Sequence, residues 1–534
     1  MHYNRRFFFI AFSLGLYACQ PNTEHNPAEV NLVNVAKHIE VLASDKFEGR
    51  GPLTTGEKLT IDYLQSEYYN MGLVAGNGAS YFQAVPMAKL TPDQNMQLKI
   101  GELSFSAGSD FTARTEQIKP QIELDNSAIV FVGYGINAPE YEWNDYQDID
   151  VTGKTVIVLV NDPGFATQDP ALFTGNAMTY YGRWTYKYEE AARQGAKAVL
   201  IVHETAPAAY PWSVVESSNT GSKYTLVDGQ QNSSKLPIMG WLQLAATEQV
   251  FAQAGFNYQT LKQQALAKDF KAIEFNQAAS LTLTNAIEFA ESHNVLAKIV
   301  GAKYPDEYVL VGAHWDHFGA KQTDEGKIIY NGAVDNASGT AGTLELARMM
   351  MAQHQQQPFE RTIMFINFTA EETGLIGSQM FAESGLIPTN KMVALLNIDG
   401  MNVLDGVDYI LQYGNNMSDL EGYLSRASAK QKRKVKMDPR PQNGLFFRSD
   451  HFSLAKQGVP SLLFMSLGDT DPDYIEHKYH KAADDYSASW SLGGVKQDLE
   501  LMNDIAISLA NSQDWPKWLA DSDFKKRRAK DLTH

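Results

Sequence analysis

In YVLVGAHWDH, residues 308–317, an apolar run ends abruptly in histidine, aspartate and histidine. No charged or turn-forming side chain interrupts Tyr308 to Val311, and a short continuous run of this kind suits a strand buried on both faces. Strands of that type lie in parallel sheets between helices, and such sheets assemble their ligand sites at the carboxyl ends of the strands. His314, Asp316 and His317 stand at that edge. Imidazole is a good zinc ligand, and a nearby carboxylate can hold its ring in one tautomer.

Working outward, three more stretches share this grammar. Thr362 to Phe368 is an apolar run followed by Glu371-Glu372. Two adjacent carboxylates at the end of a buried strand repel, so a cation is expected to compensate them; an acidic helix start is the plainer alternative. Asn397-Ile398-Asp399-Gly400 ends another buried run with a carboxylate. Gly332-Ala333-Val334-Asp335-Asn336 places an aspartate before a helix rich in small residues, where taken alone it reads as an N-cap.

Around these stretches, from about His293 to Leu509, strands alternate with helices. Tyr308–Gly312, Arg361–Thr369, Met392–Ile398 and Ser461–Met465 read as strands, and 337–351, 377–383 and 418–430 as helices. The alternation predicts an α/β fold with a mostly parallel mixed sheet sandwiched by helices. Nearer the N-terminus, helices are expected over 31–42 and 55–71, with Gly49-Arg50-Gly51-Pro52 as a turn between them. A basic tail, Lys525 to Arg528, reads as a solvated helix end.

The chain has 534 residues, 44% of them hydrophobic, enough for a large core and more than one domain. Its 62 acidic residues outnumber 45 basic ones, which argues against a sequence-independent nucleic-acid binder. Arg5 and Arg6 precede the apolar run Phe7 to Tyr17, the layout of a bacterial export signal too short to span a bilayer. Leu16-Tyr17-Ala18-Cys19 resembles the lipobox of bacterial lipoproteins, with Tyr17 standing where a small residue is usual. The expected organisation is a signal peptide over 1–19, with Cys19 as the lipid-modified mature N-terminus, followed by a tether over 20–30. Cys19 is the single cysteine, so the fold is expected to contain no internal disulfide, and with Cys19 consumed by export thiol catalysis is unavailable.

The segment 126–290 differs in character. "GYGINAPEYEWNDYQDIDVTGKTVIVLV" and "EEAARQGAKAVLIV" resemble a protease-associated (PA) domain, inserted between a first part of the catalytic domain (31–125) and its main part (291–534). Gly133-x-Gly135-x-x-Ala138 follows a strand as a dinucleotide fingerprint does, but the Pro139-Glu140-Tyr141 that comes next does not open the required helix.

Taken in order, "VLVGAHWDHFG", "NGAVDNASGTAGTLELAR", "FTAEETGLIGS", "LLNIDGMN" and "YIEHKYHKAADD" resemble the co-catalytic zinc aminopeptidases of clan MH, which include leucyl aminopeptidases and glutamate carboxypeptidases. "HIEVLASDKFEGRGPLTTGEKLTIDYL" is similar to that family's N-terminal helices. The resemblance implies two zinc ions per chain. His314 and Asp399 would hold one, Glu372 and His480 the other, and Asp335 would bridge both. Asp316 would orient His314, Glu371 would act as general base on a metal-bridging water, and Tyr479 would hydrogen-bond the oxyanion. It also implies a non-proline cis peptide at Asp335-Asn336. His317 and His477 are read as neighbours of the ligands, and Arg448-Ser449-Asp450-His451-Phe452 as support beside the substrate cleft.

The expected activity is removal of N-terminal residues from peptides with a free N-terminus, by an exported enzyme that touches a bacterial membrane only through its lipid, on the periplasmic or exterior side. Carboxypeptidase and glutaminyl cyclase chemistry on the same fold, or a catalytically dead PA-containing binding protein, are the alternatives. No His-Glu-x-x-His helix or Gly-x-Ser-x-Gly elbow offers another hydrolase reading.

Overall fold

Seen in a computed structural model, residues 26–467, 473–519, 522 and 524–532 are described. The expected signal peptide, Cys19 and the first part of the tether lie outside them. Among the described residues no helix is long and apolar enough to cross a membrane.

The main sheet is built from β1 (Phe82–Pro92), β2 (Ile273–Ile299), β3 (Tyr304–His314), β4 (Arg361–Phe368), β5 (Met392–Ile398), β6 (Tyr409–Tyr413), β7 (Lys434–Met437) and β8 (Ser461–Met465). Their order across the sheet is β1-β2-β4-β3-β5-β8-β6-β7. The centre, β4-β3-β5-β8, is parallel, and the flanking pairs β1·β2, β2·β4 and β6·β8 are antiparallel.

Alternate side chains of the central strands enter two cores. Val309, Val311, Ile363, Phe365 and Leu396 pack under the helices Leu32–Leu42, Thr55–Asn70, Gly339–Gln356, Leu420–Lys430 and Gly493–Ala510. Leu310, Met364, Ile366 and Leu395 pack on the opposite face against Phe381 and Leu454. Burial on both faces is the reason these strands read as unbroken apolar runs. The fold is thus the expected mostly parallel mixed sheet between helices.

A second sheet forms a separate body. Its order is Leu103–Ser106, Gln97–Ile100, β2, Gln121–Phe131, Thr155–Leu159, Ala198–Val202, Ile238–Leu242 and Phe111–Arg114. This body has apolar cores of its own. The expected boundary at 126 therefore moves: three strands before that point already belong to the second sheet. The chain leaves β1 at Pro92 and returns beside it at Asn285, which pairs with Pro92 across β1 and β2; in between, Lys223–Leu226 adds a short antiparallel strand to the other edge of β1. Strand β2 is shared, its first half in the second sheet and its second half in the first. After Gly135 comes a short strand, Asn137–Ala138, and a single turn, Pro139–Tyr141, in place of the helix a dinucleotide site needs. The basic tail is not simply solvated: Arg528 is buried and donates to the carbonyls of Thr389 and Met392 at 2.7 and 2.8 Å.

Candidate metal centre

Because β3, β4 and β5 run parallel, their carboxyl ends share one edge. His314 is opposite Phe368 in register, and Ala313 opposite Ile398. Side chains just beyond those points, Glu371, Glu372 and Asp399, therefore converge on His314. Asp335 arrives from another direction, in the irregular turn Ala333–Ser338 that opens the helix Gly339–Gln356. The Asp335-Asn336 peptide is cis. Asn336 ties this turn to the end of β5: its Nδ2 donates to the Ile398 carbonyl at 3.0 Å, and its Oδ1 accepts from Gly339 and Gly400 N–H, each at 3.0 Å. Gly339 must lack a side chain here, since a Cβ would sit 2.2 Å from Asn336 Oδ1.

The two oxygens of Asp335 point to different partners. Oδ1 is 3.3 Å from His314 Nε2, which is also 3.2 Å from Asp399 Oδ1. Oδ2 is 3.2 Å from His480 Nε2, which is 3.4 Å from Glu372 Oε2. His314, Asp335 and Asp399 form one set of donor atoms within 4.8 Å of one another; His317, Asp335 and Glu372 form a second. The five residues expected as ligands are thus brought together, and His317, read from sequence as a neighbour, joins them. Its Nδ1 is 2.6 Å from Glu372 Oε1, and its Nε2 is buried without a partner. His477 stays outside, exposed, with Asp473 at 4.0 Å.

Asp316 does more than the sequence suggests. Its carbonyl oxygen is 3.1 Å from His314 Nδ1, closer than its carboxylate at 3.8 Å, while the carboxylate accepts the backbone N–H of Glu371 at 3.1 Å. One residue therefore orients both the imidazole and the strand end that carries the two glutamates. Tyr479 stacks on His480 with ring centroids 3.8 Å apart.

Electrostatics separate these groups. Burial, then the charges of Asp399, Asp450 and Asp335, hold the Glu371 carboxyl well above the usual range. Burial, then Asp335 and Glu371, do the same to Glu372. Burial raises Asp316 to about 6. Burial alone would lower His314, but Glu371, Asp335 and Asp399 reverse this and raise it well above its ordinary value. Arg50 lies close enough for its charge to act on Asp316, Asp335 and Glu372. Its donors, however, are committed to carbonyls: Leu42, Trp315, Asn331 and Gly332, at 2.6 to 2.9 Å. The cluster of buried carboxylates is therefore undercompensated. Its mixed imidazole and carboxylate donors suit zinc, so the residues present fit the expected metal.

Two supports were not visible in the sequence. Arg50, fully buried, stitches the turn after the first helix to the loops that carry His317 and Asp335. Asp484 accepts the backbone N–H groups of Val334 and Asp335, each at 3.0 Å, and the Tyr474 hydroxyl at 3.2 Å. A carboxylate four residues after His480 was the available signal for Asp484.

Residues 294–501 match the profile of peptidase family M28. Over 122 residues the chain is 37% identical to mouse aminopeptidase NAALADL1, covering 22% of this chain and 15% of that protein. Over 106 residues it is 38% identical to a probable zinc metalloprotease of Pyrenophora teres f. teres, covering 20% and 22%. These matches span less than a quarter of either relative. Among solved structures, an aminopeptidase from Aneurinibacillus sp. strain AM-1 aligns with 92% of this chain and 96% of its own, at 19% identity and a TM-score of 0.48. The match places the segment that builds the metal centre, residues 294–501, in peptidase family M28.

Proposed function

We propose that the chain is an exported zinc aminopeptidase that removes N-terminal residues from peptides, using two zinc ions. The observation that carries the reading is Asp335, whose two oxygens face two separate donor groups. His314 and Asp399 would hold one ion, Glu372 and His480 the other, with Asp335 shared and His317 a further donor beside Glu372. When bound, zinc supplies Lewis acidity, lowering the pKa of water toward about 7 and polarising a carbonyl.

The protein's own groups supply the rest. Glu371 is the general base: its buried carboxyl, raised in pKa, can hold a proton and pass it to the leaving amine. Asp316 fixes the Glu371 backbone, and so the reach of that carboxylate. Tyr479 donates its phenolic hydrogen toward the oxygen that gains charge. Residues 93–284 are read as a PA-like insert that carries no bond-breaking chemistry. A lipid on Cys19 would hold the enzyme at a bacterial membrane, facing the periplasm or exterior.

The test is metal content of the purified mature protein, together with hydrolysis of aminoacyl anilides before and after chelation. Two zincs per chain and chelator-sensitive cleavage that needs a free amine and tolerates an amidated C-terminus are the expected results. Cleavage that needs a free C-terminus would make the enzyme a carboxypeptidase. Metal with no peptide cleavage would point to cyclase chemistry, and neither metal nor activity to a binding protein.

A further inference from the structure

A lipid on Cys19 would hold the fold on a short leash. Asn26 comes seven residues later, at most about 25 Å away when the chain is fully extended. From there the backbone is pinned to the helix Gly339–Gln356. Arg348 donates through Nη1 to the Pro27 carbonyl at 2.7 Å and through Nη2 to the Glu29 carbonyl, and Gln353 Nε2 donates to the Ala28 carbonyl at 3.1 Å. Val30 is then buried in the core, and the Asn31 N–H donates to the Glu345 carboxylate.

That helix gives the leash a direction. It opens beside Asp335 at the carboxyl edge of the parallel strands, and its 18 residues span about 27 Å, so it ends by the start of β4 at the opposite, amino edge. Gln353, in its last turn, holds the leash on that side. The helix Thr55–Asn70 runs the same way. It opens against Arg50, whose Cα would lie 3.3 Å from a Cβ on Gly56, and its last turn carries Tyr69, which is 70% exposed. Val300 follows Ile299, which is opposite Ile363 near the start of β4, and Val74 is opposite Lys298. Val300 and Val74 are 44% and 46% exposed. Three large side chains, two aliphatic and one phenolic, are thus exposed towards the edge where the leash is held. A tyrosine with aliphatic neighbours suits the headgroup boundary of a bilayer, and the Lys298 ammonium suits anionic headgroups.

We propose that the amino edge of the main sheet faces the membrane, with Tyr69, Val74 and Val300 against the lipid headgroups and the metal centre turned away from them. The proposal rests on the lipid anchor read for Cys19. It also narrows the substrates: the donor edge stands about 27 Å from the bilayer, so the peptides it takes are dissolved in the aqueous compartment rather than held at the membrane surface.

The experiment uses the full chain, purified with its lipid and placed on vesicles of phosphatidylethanolamine and phosphatidylglycerol that carry a nitroxide on the headgroup. Cys19 is the only cysteine, so its acylation leaves no free thiol and one introduced cysteine takes a fluorophore alone. Tyr69→Cys and Val300→Cys report the amino edge, and Lys321→Cys, exposed in the strand Gly319–Thr323, reports the metal edge. Labels at the first two positions should lose most of their fluorescence relative to vesicles without nitroxide, and the label at Lys321→Cys should lose none. Equal loss at all three, loss only at Lys321→Cys, or no loss at Tyr69→Cys and Val300→Cys on protein that floats with the vesicles overturns the proposal. The anchor is read separately, from the mass of the mature N-terminus. Should Cys19 carry no lipid, a hexahistidine tag in place of residues 1–19, held on vesicles with a nickel-chelating lipid, puts the same labels on the same leash. Loss confined to the amino edge then removes the lipid and leaves the orienting leash standing, and any other pattern overturns both.

Discussion

At the scale of single residues, the proposed mechanism divides its work between groups that would bind metal and one, Glu371, that would move a proton. Glu371→Gln keeps every proposed metal donor, so zinc content should be retained while turnover falls about 10²- to 10⁴-fold; near-normal turnover would remove Glu371 from the role of base. Asp335→Ala removes the shared carboxylate, and zinc per chain should drop; two tightly held ions in that variant would contradict the bridge. Arg50 makes a different prediction, about stability. Its guanidinium satisfies four buried carbonyls, and each left unpaired costs about 1–3 kcal/mol. Arg50→Ala should lower unfolding stability by more than about 3 kcal/mol in urea titrations, and Arg50→Lys should recover only part of the loss, because an ammonium lacks the fork geometry. Neither this residue nor the donor position of His317 was legible from sequence. Arg50 stands in a glycine-rich turn, and three of its partners are more than 260 residues away. His317 is three residues from His314, and only the fold shows that its ring turns toward Glu372.

At the scale of elements, legibility followed burial. The strands ending near His314, Phe368, Ile398 and Met465 are buried on both faces, and their apolar runs announce them. Strand β2 did not announce itself. Much of it alternates apolar with polar residues and carries glutamates at 274, 288 and 291, so the expected domain boundary ran through its last third. The first helix, Leu32–Leu42, was readable from its spacing, and Asn31 caps it by accepting from Val33 and Asn34 N–H. That helix also carries a pH-sensitive group. His38 is buried against Tyr63, with 2.6 Å between Nδ1 and the hydroxyl, and burial, then Lys37 and Arg348, lowers it to about 4. Unfolded, it titrates near about 6.5. Between those values the unfolded chain binds a proton that the folded chain does not. The stability contributed by the neutral ring is therefore complete above about pH 6.5 and is lost as pH falls toward 4. Moving from pH 7.5 to 5 should cost about 2 kcal/mol from this residue. His38→Gln should flatten the dependence of the urea midpoint over that range; an unchanged slope would show that other groups dominate.

At the scale of the whole molecule, the two bodies are coupled more tightly than an insertion requires. Strand β2 runs unbroken through both sheets, so neither can lose its pairing without disturbing the other. Met178 N–H donates to the Pro441 carbonyl at 3.2 Å, and Lys456 pairs with Glu189 at 2.6 Å across the boundary. Tyr180 packs with Phe447, Phe452 and Phe524. Proteins with several domains commonly melt in steps. Here a shared strand and an aromatic seam favour one cooperative transition. Because the proposed metal donors all belong to the 294–501 segment, chelation should weaken that segment directly and the second body only through the coupling. Calorimetry should therefore show a single endotherm that moves down as a unit when zinc is removed. Tyr180→Ala trims the seam without touching a metal donor, and it should broaden or split that endotherm. Two endotherms in the parent protein, with only one responding to the chelator, would mean that β2 acts as a hinge between independent bodies rather than as a shared support.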